Sequence, residues 1–384
     1  MTSPSSAAEI LRELVAIPTP SSISNLPLLD WVAAFLSDRG WRTEYRPYED
    51  ESGVAKAHLI AWPGQSNRRS HHGGHFDLAF VCHTDTVPYA ADWVDALVLG
   101  ERKGQLHGCG SCDVKGALAC ILAAVAALNA DAIASTVGLI LTADEEIGCK
   151  GMERLLPSTQ IYIASAIVSE PTSLRAGIAG KGYGLARITV EGREAHSAFP
   201  HQGVSAISIA ARLIARIEDA FAANASEALT DALFDPPRTT LNIGVIEGGT
   251  AKNIIPGRCS FLVEWRSIPG EDPAHVLEQL RAIVEQMRPT DPRCAIELEA
   301  LRAEPGFSPA AQGRLQQRLA TLLSGEPVGI SFGSEASRLA RIADEVIVIG
   351  PGDMRSAHSN RECVPIDELA SWTGVLTALM RDGL

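Results

Sequence analysis

Residues 78–85 read Leu-Ala-Phe-Val-Cys-His-Thr-Asp, an apolar run that turns polar at its end. The first five side chains form a short continuous hydrophobic segment, which favours a strand buried on both faces of a parallel sheet. His83 and Asp85 then follow at the carboxyl end of this strand. Because ligands of α/β proteins bind outside the carboxyl ends of the strands, we expect both side chains to face a functional site.

Three further apolar segments of strand length end in the same way. The groups that follow them are carboxylates and one histidine: Glu145 and Glu146 after 137–142, Glu170 after 164–169, and His358 beyond 345–349. An alanine-rich helix predicted over 114–129 begins next to Asp113. The alternation of strands and helices predicts an α/β catalytic domain with a mainly parallel sheet flanked by helices.

The middle of the chain follows a different pattern. Strands and helices are predicted there in the order 185–190, 204–221, 240–245, 260–264 and 274–287. Such a run of strands with two helices is typical of α+β structure. We therefore predict an inserted α+β domain at 180–294 within a catalytic domain formed by 1–179 and 295–384. The polar segment 65–74 is predicted to be a loop.

The composition restricts the class of protein. Hydrophobic residues make up 46% of the 384 residues and charged residues 21%, so we expect a folded core rather than disorder. The net charge of −13 argues against nucleic acid or an anionic membrane as a partner. No apolar run approaches the roughly 18 residues that span a bilayer, and the first residues do not resemble a secretory signal. The eight cysteines are too sparse for a disulfide scaffold, and we expect a cytoplasmic protein.

The predicted strand ends bring two histidines and several carboxylates to one edge. Each alone would also fit a structural hydrogen bond or a solvated turn, but their convergence favours a site for zinc or a related divalent metal. Crowded carboxylates repel one another unless cations offset their charge. Glu145 and Glu146 are adjacent, so one can bind a metal while the other acts as general base. Attack of metal-activated water on a carbonyl would hydrolyse an amide or an ester.

Longer motifs carry a resemblance that extends over nearly the whole chain. They are HTDTVP (83–88), GSCDVKG (110–116), DEEIG (144–148), SEPT (169–172), AHS (195–197), GGTAKNIIP (248–256) and GPG (350–352) followed by Ala357-His358. In this order and spacing they resemble the two-zinc amidohydrolases, the family of acetylornithine deacetylase, succinyl-diaminopimelate desuccinylase, aminoacylase and the glutamate-releasing carboxypeptidases. The resemblance implies two zinc ions, which cobalt can replace.

The resemblance also implies a role for each matched residue. The implied metal ligands are His83 and Glu170 for one ion, Glu146 and His358 for the other, and Asp113 as a bridge between them. Asp85 would orient His83, and Glu145 would be the general base. The inserted domain would be a lid that also dimerises, which implies a homodimer.

Within the family the likeness is greatest to the acetylornithine deacetylases, which implies deacetylation of N-acetylornithine in arginine biosynthesis. His196 of the lid would stabilise the oxyanion, and Asn253 and Arg266 would bind the carboxylate of the substrate. The segments that carry this closer likeness are 181–183, 192–197, 248–253 and 332–336. They add three further candidates for substrate binding: Lys181, Gly333 and Ser334. Desuccinylase, acetylcitrulline deacetylase and carboxypeptidase activities are the alternatives within the family.

Some features depart from the family pattern or compete with it. Cys109 and Cys112 stand in the loop before Asp113, and residues 359–362 differ from the usual sequence after the histidine. Residues 329–333 fit the G-x-S-x-G pattern of a serine hydrolase around Ser331, with Asp353 and His358 following in triad order. We expect the serine-hydrolase interpretation to be wrong, because no clear strand ends at Ser331 and it would leave the carboxylate cluster unexplained. A binding protein without catalysis is disfavoured, because every expected ligand and the base are present.

Overall fold

The chain forms two compact units. The computed structural model describes residues 5–64, 74–133, 136–224, 229–288 and 290–384. The first unit comprises Met1–Ile178, Pro309–Val328 and Ser334–Leu384, and the second comprises Ala179–Ser308 and Gly329–Gly333. Nearly all of the predicted loop at 65–74 lies outside the described residues.

The elements are numbered along the chain. The strands are β1 (Trp41–Glu49), β2 (Ala55–Pro63), β3 (His75–His83), β4 (Gly100–Arg102), β5 (Gln105–His107), β6 (Val137–Thr142), β7 (Tyr162–Val168), β8 (Gly177–Gly180), β9 (Tyr183–Glu191), β10 (Ala195–His196), β11 (Thr240–Gly248), β12 (Ile254–Ile255), β13 (Arg258–Arg266), β14 (Ala295–Glu304), β15 (Val328–Ile330), β16 (Ala343–Val348) and β17 (Cys363–Pro365). The α-helices are α1 (Ala7–Ala16), α2 (Leu26–Ser37), α3 (Lys115–Ala127), α4 (Lys150–Ser158), α5 (Ala206–Asn224), α6 (Pro273–Gln286), α7 (Arg314–Leu322), α8 (Ala336–Leu339) and α9 (Ile366–Asp382).

The large sheet has the strand order β1-β2-β6-β3-β7-β16-β8-β15. Its centre is parallel, because β3 runs parallel to β6 and β7, and β16 runs parallel to β7. Strand β2 is antiparallel to both β1 and β6, and β8 is antiparallel to β16. All of β6 and the last six residues of β3 are buried, as strands covered on both faces require. The sheet is mixed with a parallel centre, which confirms the predicted α/β class.

Helix α3 fixes one part of the site. It begins two residues after Asp113, is buried from Lys115 to Val125, and packs against α1 and α9. A helix that is apolar on all sides is stable only when it is enclosed, and the small alanine side chains allow close packing. Elsewhere α2 packs on β1 and β2. Within the described residues, no helix combines the length and the apolar character needed to cross a membrane.

The second unit is built on the antiparallel sheet β11-β13-β9-β14, against which α5 and α6 pack. Alternate residues of the central strands form its core, such as Ile188 and Val190 of β9 and Phe261 of β13. The predicted inserted domain ends at 294, just before β14. Because β14 pairs along the whole of β9, the contacts of this unit continue to Ser308.

Candidate active site

The parallel strands at the centre of the large sheet end side by side. His83, the last residue of β3, is paired with Thr142, the last residue of β6. Val81 of β3 is paired with Val168, the last residue of β7. The segments that follow β6 and β7 are therefore delivered to the same edge of the sheet as His83.

Two groups of side chains at this edge have the composition of metal sites. One is His83, Asp113 and Glu170, the other is Asp113, Glu146 and His358, and the potential ligand atoms of each group lie within 4.8 Å of one another. Nε2 of His83 lies 3.0 Å from Oδ1 of Asp113, and Nε2 of His358 lies 3.0 Å from Oδ2. Asp113 thus offers one oxygen to each group, as a bridging carboxylate would. The structure brings the five predicted ligands together, and their role as ligands stays a prediction.

The centre concentrates buried negative charge. Burial, reinforced by the neighbouring carboxylates, raises the pKa of Glu145 to about 8 and holds the pKa of Glu170 well above its ordinary value. Burial acts in the same direction on Asp113, but hydrogen bonds from His358 and His83 outweigh it and lower the pKa of this carboxyl. Divalent cations would offset the negative charge, and imidazole nitrogen with carboxylate oxygen is a donor set that such cations accept.

The carboxylate of Asp85 supports a turn rather than the ring of His83. Nδ1 of His83 donates to the backbone carbonyl of Asp85 at 2.9 Å, whereas Oδ1 of the Asp85 carboxylate lies 3.7 Å from Nδ1. This carboxylate accepts the N–H groups of Glu145 at 3.1 Å and of Glu146 at 3.2 Å. The residue predicted to orient His83 does so through its carbonyl oxygen, which leaves Nε2 of the imidazole for a metal.

The predicted base, Glu145, is restrained by the residues that follow it. Its backbone carbonyl accepts the N–H groups of Gly148 at 2.8 Å and of Cys149 at 2.7 Å, which closes the turn after β6. The thiol of Cys149 donates to Oε1 of Glu145, with 3.1 Å between Sγ and the oxygen. The turn and the thiol together limit the rotamers of the Glu145 carboxylate.

Glu362 supports the centre from a distant part of the sequence. Its buried carboxylate accepts N–H groups from Gly110 at Oε2 and from Cys112 and Asp113 at Oε1, each at 3.0 Å. These amides belong to the loop that carries Asp113, so Glu362 fixes the position of the shared carboxylate. Burial raises the pKa of Glu362 to about 7. The sequence gives no signal for this role beyond the position of Glu362, four residues after His358.

The cysteines of the same loop take no part in either group. Both Cys109 and Cys112 are buried, and burial raises the pKa of Cys109 to about 11 and that of Cys112 well above its ordinary value. The thiol of Cys112 donates to the backbone carbonyl of Asp353 at 3.5 Å. Among the described residues, the two candidate metal groups contain histidine and carboxylates alone.

The serine-hydrolase pattern finds only part of its expected context. Strand β15 ends just before Ser331, so the expectation that no strand ends there was wrong. The carboxylate of Asp353, however, accepts from Nε of Arg355 at 3.0 Å, and Nε2 of His358 faces Asp113. The carboxylate and imidazole of the supposed triad are therefore engaged by other partners.

In the second unit, His196 lies exposed on the short strand β10, which pairs with β12. Nδ1 of His196 accepts the backbone N–H of Ala198 at 3.1 Å. Because a backbone N–H can only donate, the neutral ring carries its proton on Nε2. Asn253 lies nearby, since its carbonyl accepts the N–H of Ser197 at 3.0 Å.

Arg266 stands at the end of β13 beside an aromatic ring. Its guanidinium carbon lies 4.3 Å from the ring centre of Tyr183, and its Nε donates to Glu264 at 2.7 Å. A side chain at Gly333 would come within 3.2 Å of a terminal nitrogen of Arg266, so glycine there leaves space for the guanidinium.

Two other predicted substrate contacts have structural partners. Lys181 is buried, and its ammonium donates to the carbonyls of Pro236 at 2.9 Å and of Arg238 at 2.7 Å. Those contacts use two of its three N–H donors and favour anchoring of the loop at 236–238 over binding of substrate. In the first unit, Ser334 is buried and its hydroxyl accepts the N–H of Ala336 at 3.4 Å.

Known proteins resemble this chain in sequence and in fold. The family model of the peptidase dimerisation domain (M20 dimer) matches residues 178–292. An acetylornithine deacetylase from Myxococcus xanthus is 41% identical over 366 residues, which cover 95% of this chain and 94% of that protein. A tripeptidase from Staphylococcus aureus has the same fold, with a TM-score of 0.76 at 20% identity over 98% of this chain and 97% of the other. An M20 family metallo-carboxypeptidase from Sulfolobus solfataricus superposes with a TM-score of 0.74 at 16% identity, over 98% of each chain. With a relative of that identity over nearly its whole length, this chain belongs to the M20 family of metal-dependent hydrolases, in the group that includes the acetylornithine deacetylases.

Proposed function

We propose that this chain hydrolyses the amide bond of an N-acyl amino acid, and that its substrate is N-acetylornithine. The observation that carries the proposal is the position of Glu145, a half-buried carboxylate whose charged neighbours His83, Asp113 and Glu146 belong to the two candidate metal groups. The 41% identity with an acetylornithine deacetylase supports the choice of substrate. Since ornithine is a precursor of arginine, we infer a biosynthetic role in the cytoplasm.

We infer two zinc ions as cofactors, which cobalt can replace. Histidine and glutamate would hold each ion, His83 with Glu170 and His358 with Glu146, and Asp113 would join both sites. Mixed nitrogen and oxygen ligands suit either metal, so availability decides between them. When bound, the ions would lower the pKa of a water molecule toward about 7 and polarise the acyl carbonyl.

Glu145 would carry the proton during the reaction. It would take a proton from the attacking water and deliver it to the nitrogen of the leaving amine. Burial raises the pKa of Glu145 to about 8, and the positive charge of bound metal ions would lower this pKa again, which leaves an ionised carboxylate that can accept the proton of the water. The hydrogen bond from Cys149 and the support of the turn by Asp85 would keep the carboxylate in one position.

Residues of the second unit would recognise the substrate. Arg266 and Asn253 would bind its carboxylate, because a guanidinium can donate two parallel hydrogen bonds to such a group. His196 would donate from Nε2 to the oxyanion, the tautomer that its contact with Ala198 favours. We infer a homodimer in which this histidine serves the site of the partner subunit, and the match to a dimerisation domain supports this inference.

A substrate panel tests the proposal. The purified chain, loaded with zinc or cobalt, is assayed for release of free amine from N-acetylornithine, N-acetylcitrulline, N-acetylmethionine, N-succinyl-diaminopimelate and a glutamate-terminated dipeptide. We expect fastest cleavage of N-acetylornithine and loss of activity with a chelator. If another compound of the panel is cleaved faster, that compound replaces N-acetylornithine as the assigned substrate. Cleavage that persists after complete metal removal would contradict the proposed chemistry.

A further inference from the structure

A set of buried polar contacts lies beside the Glu145–Glu146 turn, and the proposed reaction uses only one of its residues, Asp85. Its centre is Lys56 on β2, which is 1% exposed. The ammonium of Lys56 is paired with the carboxylate of Asp144 and lies 3.0 Å from that of Asp50. It also donates to the backbone carbonyl of Ser21 at 2.5 Å. Lysine is almost never fully buried without partners, so these contacts account for its position.

Ser21 connects Lys56 to the turn from the opposite side. The hydroxyl of Ser21 donates to Oδ2 of Asp85 at 2.7 Å. The same carboxylate accepts the N–H groups of Glu145 and Glu146. Since Asp144 precedes Glu145 in the chain, the contacts form a closed ring, which we call the Lys56 ring: Lys56, Asp144, the Glu145–Glu146 turn, Asp85 and Ser21.

The backbone at Asp144 needs such support. Its φ of +61° lies in the left-handed region that residues other than glycine adopt infrequently. Its side chain is fully buried and also accepts from the hydroxyl of Tyr48 at 2.9 Å and from Arg154 at 3.0 Å. A buried carboxylate is strongly destabilised when it loses an enclosed partner, whereas water can replace a partner that is open to solvent. The enclosed ammonium of Lys56 therefore contributes more to the turn than the partly exposed Arg154.

The ring keeps Lys56 charged. Burial lowers the pKa of Lys56, but the hydrogen bonds and charges of Asp144 and Asp50 outweigh burial and raise it above its ordinary value. The ammonium thus donates to Asp144 and to the carbonyl of Ser21 at the same time. Arg154 also pairs with Asp144, yet its side chain is 25% exposed and its second terminal nitrogen donates to Glu51 at 2.6 Å.

We propose that Lys56 is a positioning residue for the Glu145–Glu146 turn, acting through Asp144 on one side and through Ser21 and Asp85 on the other. The inference rests on the proposed function, in which Glu145 is the base and Glu146 a ligand. Lys56 would then control two properties of the centre. One is the placement of the base, and the other is the affinity of the metal group that contains Glu146.

The substitution K56M removes the ammonium and keeps most of the length of the side chain. The matched control is R154M, which removes the other cation on Asp144 and leaves the link to Ser21. Three quantities are measured on the full-length chain loaded with zinc: hydrogen exchange of the amides of Glu145 and Glu146, zinc affinity by competition with a chromophoric chelator, and kcat and KM. Exchange at the turn depends neither on substrate nor on turnover.

In K56M we expect at least tenfold faster exchange at the two amides, because their acceptor Asp85 loses its connection to Lys56. We expect one zinc to bind at least tenfold more weakly and the other to stay within threefold. The value of kcat should fall more than KM changes. R154M should stay close to the unmodified chain in all three measurements. If the effects of K56M came only from a general loss of stability, R154M would show similar effects.

Unchanged exchange at Glu145 and Glu146 in folded K56M would overturn the inference, whatever the activity. Equal weakening of both zinc ions would overturn it too. If K56M does not fold, S21A tests the same connection at its other end, because it removes the hydroxyl that links Ser21 to Asp85 and keeps the backbone carbonyl that accepts from Lys56. Failure of the proposed function would appear differently, as a normally protected turn in an unmodified, zinc-loaded chain that cleaves no substrate.

Discussion

Replacing Glu362 by glutamine tests how the loop that carries Asp113 is held. The carboxylate accepts N–H groups of Gly110, Cys112 and Asp113. Glutamine keeps the shape of the side chain, but one of its two terminal atoms is an NH₂ group that only donates. In its best orientation the amide oxygen keeps the two bonds at Oε1, and the N–H of Gly110 meets another donor. A buried N–H without an acceptor costs about 1–3 kcal/mol.

This energy should appear in the binding of both metal ions, because Asp113 belongs to both candidate groups. A loss of about 1–3 kcal/mol corresponds to roughly 5- to 150-fold weaker binding, at tenfold for each 1.4 kcal/mol. The assay is a competition titration of zinc between E362Q and a chromophoric chelator, followed through both binding steps. We expect both steps to weaken, in contrast to the selective loss expected when the Lys56 ring is broken.

The matched control is E345Q. The carboxylate of Glu345 is also buried and accepts the N–H groups of Leu315 and Gln316, each at 2.8 Å, and the hydroxyl of Ser165. It lies on β16 and belongs to neither metal group. E345Q should therefore lose comparable stability in a urea titration and keep its zinc affinity. The reasoning would be refuted if E362Q bound zinc as tightly as the unmodified chain, or if E345Q lost as much zinc affinity as E362Q.

Three further predictions concern single side chains. C149A should lower kcat by roughly 2- to 10-fold, because the carboxylate of Glu145 loses one hydrogen bond, and C149S should restore most of the lost activity. A kcat of C149A equal to that of the unmodified chain would show that the thiol does not contribute to catalysis. Burial lowers the pKa of His58, which stacks on Tyr48, to about 4. The unfolded chain therefore takes up this proton first as the pH falls, and the folded state loses about 2 kcal/mol between pH 7 and pH 5. In H58F this part of the pH dependence of the unfolding free energy should disappear, as measured by urea titration at both pH values. The same loss of unfolding free energy in H58F and in the unmodified chain would refute the prediction. H196A should reduce kcat by about 10²–10³-fold without changing metal content, as loss of an oxyanion donor does, and a smaller fall in kcat would remove His196 from that role.

Local sequence patterns predicted the parts of the site that follow strands. His83 and Glu170 come directly after an apolar run, and Glu146 comes four residues after one, so the length of these runs was enough to place the three side chains at one edge. Asp113 was found through the alanine-rich helix that it precedes. The resemblance to the amidohydrolases added the roles of these residues, which a pattern of hydrophobicity does not contain.

The supports of the site could not be predicted in the same way. The contacts of Glu362 with the loop at 110–113 join residues about 250 positions apart, and Lys56 meets Asp144 across 88 positions. Such pairings depend on the order of strands in the sheet, which the sequence does not specify locally. The antiparallel strand β1 was missed because it is polar and half-exposed and lacks the long apolar run of a central strand. Strand β2 is mostly buried, but Lys56 and His58 interrupt its apolar residues in the sequence.

The most direct test of the central claim is a zinc titration of turnover in the unmodified chain and in E145Q. Activity toward N-acetylornithine should rise until two zinc ions are bound per chain, and E145Q should bind two ions with near-normal affinity and show no turnover above background. Full activity in E145Q, or turnover that does not depend on added zinc in the metal-free chain, would contradict the assignment of a two-metal hydrolase with Glu145 as its base.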